Sequence, residues 1–386
     1  VRVIDLTQYV AGPFATLLLA ELGADVIKVE PPGGDPWRRC TKAGLSTNFD
    51  FVNRRKRSVT IDIKQRPGRA LLMDLVSGAD AVVENYATDV RRNLRISLRA
   101  LRRANASIVL TSITNFGLEG MYSDWPATEL TLEAMGGALI GTGWKDTPPL
   151  KLPSYQACYI AGLNAAIATL TSVYGVQAGV ARGVQNDVAI HEALLPHWMS
   201  PLSLYAYTGR DTGRDARGPA KNQGLTHTVR AKDGYVYLMF STDDEWEPFA
   251  RFLGIDDPFA SGEWSDPEVR FTRWNELEPH FSRAIATRTK HDWFTAAAEH
   301  GYMIAPVDEP NDVIASPQLA ARAFFTPAAL DDGSSVPCPT LPFSFAEKPL
   351  MPNRAPSIGE HNGEVFRDIL GLDQSRIESL TAARII

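Results

Sequence analysis

The sequence has few cysteines, no long uninterrupted apolar run and no excess of positive charge. Cys40, Cys158 and Cys338 are the only three in 386 residues, an odd number with no C-x-x-C pair. That argues against a disulfide framework and a structural zinc site, and points to a reducing cytoplasm. Lys and Arg number 39 against 45 Asp and Glu, a formal charge of -6, so no extended basic face for nucleic acid or anionic lipid is expected. The most apolar stretches, 11–22 and 157–173, are interrupted by Glu21 and by Asn164, Thr169 and Ser172, and neither reads as a membrane span of about 20 residues. The N-terminus lacks the order of a secretory signal. It opens without Met inside an apparent strand, so a few preceding residues are expected to be missing. What is present, 44% hydrophobic and 22% charged residues, is a globular composition of two-domain length.

The first 30 residues alternate as a βαβ unit. A β-rich Val1–Leu6 meets Gly12-Pro13, an apolar helix runs to Leu22, and Gly23 ends it before a second strand, Asp25–Glu30. Strands at 58–63, 81–84 and 107–113 continue the pattern, with helices at 67–77 and 97–103 between them. Strand–helix alternation of this kind builds an open parallel α/β sheet. After Gly117 longer helices are predicted at 128–140, 155–174 and 191–207, with a strand at 185–190. Ala157, Ala161, Gly162, Ala165 and Ala166 give the second of these a small-residue face suited to close packing.

A Gly- and charge-rich stretch at 209–224 reads as a linker. A hairpin around Ala231-Lys232-Asp233, three helices and a strand at 302–307 then describe a smaller domain. The expected layout is a large-domain segment at 1–208, the linker at 209–224, a small α+β domain at 225–315, and a return to the large domain at 316–386.

A βαβ start with Glu30 ending its second strand invites a dinucleotide reading. That chemistry needs glycine amides at the first turn, and here the turn Tyr9-Val10-Ala11-Gly12-Pro13 holds one glycine and a proline without an N–H. Neither nicotinamide nor flavin is expected. There is no P-loop, H-E-x-x-H or G-x-S-x-G, and the seven histidines are scattered, so no metal is expected either.

Val3-Ile4-Asp5-Leu6-Thr7, Ala11-Gly12-Pro13 and the run from Leu22-Gly23-Ala24-Asp25 to Gly33-Gly34-Asp35-Pro36 closely resemble the opening of the family III CoA-transferases. That family includes formyl-CoA transferase, carnitine CoA-transferase and 2-methylacyl-CoA racemase relatives. Asn53-Arg54-Arg55-Lys56-Arg57-Ser58 before Asp62-Ile63-Lys64, Val82-Val83-Glu84-Asn85-Tyr86, and Ala355-Pro356-Ser357-Ile358-Gly359-Glu360-His361 resemble it further. The resemblance implies a Rossmann-like large domain built from both chain ends, a small domain between them, and an interlocked homodimer. It implies coenzyme A or acyl-CoA as substrate and a carboxylic acid as its partner. Tyr9, Val10, Ala11, Ile61, Asn85 and Tyr86 correspond to the family's CoA contacts. The basic run 54–57, Arg57 included, has charge suited to the nucleotide phosphates. Asn93 stands where the family usually has Arg, for which Arg91, Arg92 or Arg95 could substitute.

The resemblance also locates a departure. The family's nucleophilic Asp lies four residues before a glycine, and here Cys158-Tyr159-Ile160-Ala161-Gly162 places Cys158 at that position. The resemblance implies that the carboxylate attacks the acyl-CoA, and that released CoA then attacks the carboxyl carbon of the enzyme. A thiol can make the first attack but has no carbonyl carbon for the second. Cys158 in a helix first turn would be favoured as thiolate by the helix dipole, or serve only as a small packing residue. Glu129 and Glu133, on the preceding predicted helix, are the nearest candidates for a replacement carboxylate. Residues 217–224 stand where several transferases of the family have a glycine-rich lid and are less glycine-rich here, a second departure; His227, which follows, could reach the cleft. The leading reading is a CoA-transferase; the alternatives are a non-catalytic CoA-binding partner, such as half of a tandem or mixed assembly with an Asp-bearing copy, and thiol-based acyl-CoA chemistry at Cys158.

Overall fold

The computed structural model describes residues 1–40, 47–143, 146–210, 225–240, 245–329, 334–343 and 354–386. Its contacts divide the chain into two compact units, one of residues 1–140, 151–211 and 320–386, the other of 141–150 and 212–319. The sequence reading left 141–150 in the first of these.

Six parallel strands form the centre of the first unit: β1 (Arg2–Asp5), β2 (Asp25–Glu30), β3 (Arg57–Thr60), β4 (Ala81–Glu84), β5 (Val109–Thr114) and β6 (Gln185–Ala189). Their order is β3-β2-β1-β4-β5-β6, so the connections reverse direction between β1 and β4. In such doubly wound sheets the loops leaving the two central strands diverge to opposite faces and open a crevice at their carboxyl ends.

Residues alternate between two buried layers, as the two-residue period of a strand requires. Ile4, Val82 and Leu110 pack with helix Arg66–Ser77 and with Val365, Phe366, Ile377, Leu380, Ile385 and Ile386 from the far end of the chain. Val3, Ala81, Val83 and Val109 face helices Ala11–Glu21 and Gln156–Gln177. Those two helices pack through alanine and glycine. A Cβ on Gly162 would lie 2.6 Å from the Ala11 carbonyl oxygen, so only glycine permits the approach.

Helix Gln156–Gln177 is long and apolar enough to cross a membrane by length and composition, which the interrupted 157–173 run did not suggest. Its Ala157, Ala161, Gly162, Ala165, Ala166, Thr169 and Val173 are buried within the unit. The predicted helix at 128–140 stops at Met135, because Gly136 and the left-handed Gly137 (φ 79°) end it and only a short turn, Leu139–Gly141, follows. The predicted helix at 191–207 is three pieces, Ile190–Leu194, Leu195–Trp198 and Met199–Thr208, with Pro196 in the middle one. Two short helices, Thr47–Asn53 and Thr88–Leu94, were not anticipated.

The second unit has an antiparallel sheet of β7 (Leu225–Arg230), β8 (Tyr235–Phe240) and β9 (Met303–Pro306). Val236, Leu238 and Phe240 on one face of β8 pack with Trp246, Phe249, Trp264, Phe281 and Trp293. Back in the first unit, β10 (Phe325–Ala329) and β11 (Ser335–Pro339) pair as a hairpin.

Candidate functional site

The loop after β1 is fixed by charges with no access to water. Asp5 accepts hydrogen bonds from the Thr7 amide (2.8 Å) and from the Thr16 hydroxyl (2.7 Å), and pairs with the Lys56 ammonium at 2.9 Å. Lys56 also donates to the Pro13 carbonyl (2.9 Å), the Thr16 hydroxyl (2.8 Å) and the Asn53 side chain (2.9 Å). Lys28, equally buried, donates to the Thr7 carbonyl and pairs with Asp35, both at 2.9 Å. Burial alone would raise the Asp5 carboxyl, but Lys56, Lys28 and the hydroxyls of Thr7 and Thr16 outweigh it and hold the group at about 2. Burial, aided by Lys28 and opposed by Asp5, brings Lys56 down to about 8. Buried charges of this kind are tolerable only when paired and hydrogen-bonded. Here the pairing rigidifies the turn that lines the crevice.

From the β4 side, the Asn85 side chain clasps the same turn. Its oxygen accepts from the Gln8 amide (2.8 Å) and its nitrogen donates to the Gln8 carbonyl (2.7 Å). Next to it Tyr9 adopts a left-handed backbone (φ 64°) with its ring half in solvent, a conformation that costs a non-glycine residue of order 1 kcal/mol and persists where the surroundings impose it. Two clefts meet here. The larger, about 820 Å³, is lined by Tyr9, Val10, Ala11, Trp37, Asn85, Tyr86, Glu129, Tyr155 and Cys158 among others. The smaller, about 330 Å³, shares Tyr9, Asn85 and Tyr86 and adds Ile61, Ile63 and Lys64.

Cys158 sits in the first turn of helix Gln156–Gln177 beside Glu129, the first residue of helix Glu129–Met135. Glu129 accepts from the Ala157 amide (2.7 Å) through one carboxylate oxygen and from the Cys158 amide (3.2 Å) through the other. The dipole of the long helix is thereby met by a fixed carboxylate. The helix terminus by itself would favour a thiolate. Burial and the adjacent Glu129 charge and hydrogen bond do the opposite, driving the Cys158 thiol far above its ordinary range despite Lys151 and the Ala11 backbone. Glu133, one turn on, is fully buried, accepts from the Leu152 amide (3.2 Å) and has Lys151 3.7 Å away. Burial, and Glu129 with it, raises the Glu133 carboxyl.

The structure therefore brings Tyr9, Val10, Ala11, Asn85, Tyr86, Glu129 and Cys158 to one cleft, and Ile61 to its neighbour. Three cations of the basic run 54–57, expected to suit the nucleotide phosphates, have carboxylate partners within the fold. Arg54 pairs with Glu21 at 2.8 Å, and Lys56 is sealed against Asp5. The Arg57 guanidinium lies between Asp25 (2.5 Å) and Glu364 (2.9 Å) and lines neither cleft. Neutralising carboxylates on β1, β2 and the surrounding helices is what these cations do. Arg91 pairs with Glu84 at 2.9 Å and Arg92 with Asp124 at 3.0 Å, while Asn93 and Arg95 are exposed. His227 lies in β7 opposite Leu238, and the segment 217–224, at the position of the family's lid, lies outside the described residues. Among the described residues one group, His291, Asp308 and Asp312, has metal-ligand proximity, and the Lys290 ammonium already pairs with both carboxylates. Sequence reasoning missed Trp37, Tyr155 and Lys64. Lys64 belongs to the Asp62-Ile63-Lys64 motif; Trp37 and Tyr155 come from separate segments and meet only in the fold.

A model of CoA-transferase family III matches residues 1–362. The chain belongs to that family. Among curated CoA-transferases, the succinyl-CoA:(R)-benzylsuccinate CoA-transferase subunit BbsE of Thauera aromatica is 30% identical over 384 residues, 95% of this chain and 92% of that one. Formyl-CoA:oxalate CoA-transferase of Streptomyces avermitilis is 28% identical, with 100% of this chain and 98% of that one covered. The crystal structure of a CAIB/BAIF family protein from Brucella suis superposes with a TM-score of 0.86 at 26% identity, covering 96% of this chain and 98% of that one. The six-stranded parallel α/β fold is thus that of family III CoA-transferases.

Proposed function

We propose that this protein binds an acyl-CoA along the two clefts and serves in the transfer of CoA between an acyl-CoA and a carboxylic acid, in an assembly where a second, Asp-bearing chain supplies the nucleophile. The nucleotide end lies in the smaller cleft near Ile61 and Lys64, the pantetheine arm crosses at Tyr9, Asn85 and Tyr86, and the thioester reaches Cys158. The observation that carries this reading is the thiol at the end of the cleft. Transfer through an enzyme-bound CoA thioester needs a carboxyl carbon there, and a cysteine side chain ends in sulfur. Glu129 is a poor substitute, because backbone amides engage both of its oxygens and its charge keeps the thiol protonated.

The relative from Thauera aromatica is itself named as a subunit, which supports a mixed assembly. Leu163, Ile167 and Tyr174 on helix Gln156–Gln177 and Met199, Leu202, Tyr205 and Tyr207 on helix Met199–Thr208 are exposed, and apolar surface of this extent calls for a partner chain. An interlocked homodimer with its own turnover is the second reading, favoured by the meeting of Tyr9, Val10, Ala11, Asn85, Tyr86 and Cys158 in one cleft.

The deciding experiment purifies the chain alone and measures CoA binding by calorimetry and CoA exchange between labelled CoA thioesters and carboxylates. Binding without exchange, with exchange gained by Cys158→Asp, is the expected outcome. Exchange by the unaltered chain would refute the mixed assembly. Absence of CoA binding would refute the site.

A further inference from the structure

We infer that the acyl end of the larger cleft accepts an uncharged, ring-bearing acyl group and rejects one that terminates in a second carboxylate; this rests on the reading of that cleft as an acyl-CoA site. The wall beside Cys158 is aromatic. Trp37 and Tyr155 meet edge to face with centroids 5.5 Å apart, Tyr9 lies 6.3 Å from Trp37, and Trp37 packs in one apolar cluster with Val10, Phe49 and Cys158. Ile113, Leu132 and Ile190 continue the apolar lining. An aromatic ring inserted there would gain offset or edge contacts beyond the burial of its area.

The charges point the same way. Among the described residues that line this cleft, Asp89, Asp124 and Glu129 are charged, and none is Lys, Arg or His. One further feature could have welcomed an anion, the N-terminal turn of helix Gln156–Gln177. Its Ala157 and Cys158 amides already donate to Glu129. A carboxylate on the acyl tail would leave water to meet Glu129 and committed donors, with no cation among the described lining residues to repay its desolvation; Arg92 is paired with Asp124 and Lys151 stands beside Glu133, both outside that lining. The relatives include proteins named for succinyl-CoA and (R)-benzylsuccinate, for oxalate and for glutarate, all dicarboxylic; the acyl group favoured here would share with the benzylsuccinate relative's substrate only its ring, and so this cleft would differ in selectivity while sharing the fold.

The test is calorimetry of the full chain with CoA, phenylacetyl-CoA and succinyl-CoA. Phenylacetyl-CoA is expected to bind about tenfold tighter than succinyl-CoA. Tyr155→Ala should weaken phenylacetyl-CoA about fivefold more than it weakens CoA, and Tyr155→Arg, which adds a cation to the wall, should move the preference toward succinyl-CoA. Succinyl-CoA binding as tightly as phenylacetyl-CoA, with CoA itself bound, would overturn the selectivity and leave the site standing. Failure of all three ligands to bind would overturn both. Circular dichroism of the Tyr155 variants, whose side chain lies more than a third in solvent, separates misfolding from lost contact.

Discussion

Replacing Glu129 by Gln separates its two effects, holding a helix end and suppressing a thiol. The carboxylate accepts the Ala157 amide at 2.7 Å and the Cys158 amide at 3.2 Å, at the N-terminus of a 22-residue helix. Gln is nearly isosteric, but only one of its two terminal atoms accepts, so one amide would face an NH₂ group. Hydrogen bonds to a charged partner contribute about 1.5–3 kcal/mol each, and the charge–dipole attraction about 0.3–1 kcal/mol. With Gln retaining one weaker bond, a loss of about 2 kcal/mol of stability is expected. In the same variant the thiol should become more reactive. Burial, the larger cause of the raised thiol, is unchanged, but the Glu129 charge and its hydrogen bond are the next causes. Removing them should lower the pH at which Cys158 alkylates and so speed its labelling at a fixed pH below the midpoint, by about tenfold for each unit the thiol falls. The assay is timed iodoacetamide labelling from pH 7 to 11, with peptide mapping to resolve Cys158 from exposed Cys40 and buried Cys338, alongside urea unfolding. A variant that is less stable and labels faster while still folded supports both effects. Unchanged or slower labelling at Cys158 would refute the electrostatic account of this site.

Gly162→Ala sets a new methyl group 2.6 Å from the Ala11 carbonyl and 3.0 Å from the Phe14 ring; a destabilisation of about 1–3 kcal/mol and weaker CoA binding are expected, read by urea melts and calorimetry, and a neutral result would show that the two helices separate freely. Lys56→Met leaves Asp5 without its nearest cation and should cost about 3–5 kcal/mol, seen as a large drop in denaturation midpoint. The pH dependence has a definite sign: Asp5 titrates at about 2 in the fold against 3.8 ordinarily, so its contribution, roughly 2 kcal/mol, is complete above about pH 4 and is lost as pH falls toward 2. Asp5→Asn should remove that part of the acid sensitivity, and an unaltered profile would count against the buried network. Acyl-CoA incubation followed by intact-mass analysis should show no adduct at Cys158 near pH 7, because the thiol is held protonated; a stoichiometric acyl adduct would restore the thiol-chemistry reading.

The sequence by itself carried much of the architecture, because the signals were local. β1, β2 and the helix between them were readable from strand-like runs, a glycine stop and the alternation that a parallel sheet satisfies, though that helix starts at Ala11 and contains the Gly12-Pro13 pair expected to precede it. Gly162 and its alanine neighbours announced a close packing face, and the same residues meet helix Ala11–Glu21. The position of Cys158 at the start of the long helix was likewise legible from spacing. Reading failed where a local pattern was overridden by one or two residues. The helix from 128 ended at Gly136 because two consecutive glycines favour departure from helical backbone, and the helix from 191 broke where Pro196 removes a donor.

Charge states and neighbours were decided by the tertiary structure. In the sequence Arg54, Lys56 and Arg57 are a basic run, and as a run they suit a phosphate. Folding turns successive residues of β3 and its approach to different surroundings, so that Arg54 finds Glu21, Lys56 finds Asp5, and Arg57 finds Asp25. None of those carboxylates is close in sequence. Cys158 reverses in the same way. A helix N-terminus is a local feature and predicts a thiolate, whereas desolvation and the Glu129 carboxylate depend on what is packed against that turn, and they prevail. Spacing along a chain identifies which groups a site contains. Their ionisation, and therefore what chemistry they can perform, follows from distances across the fold, since electrostatic free energy depends on separation and solvent access rather than on order in the sequence.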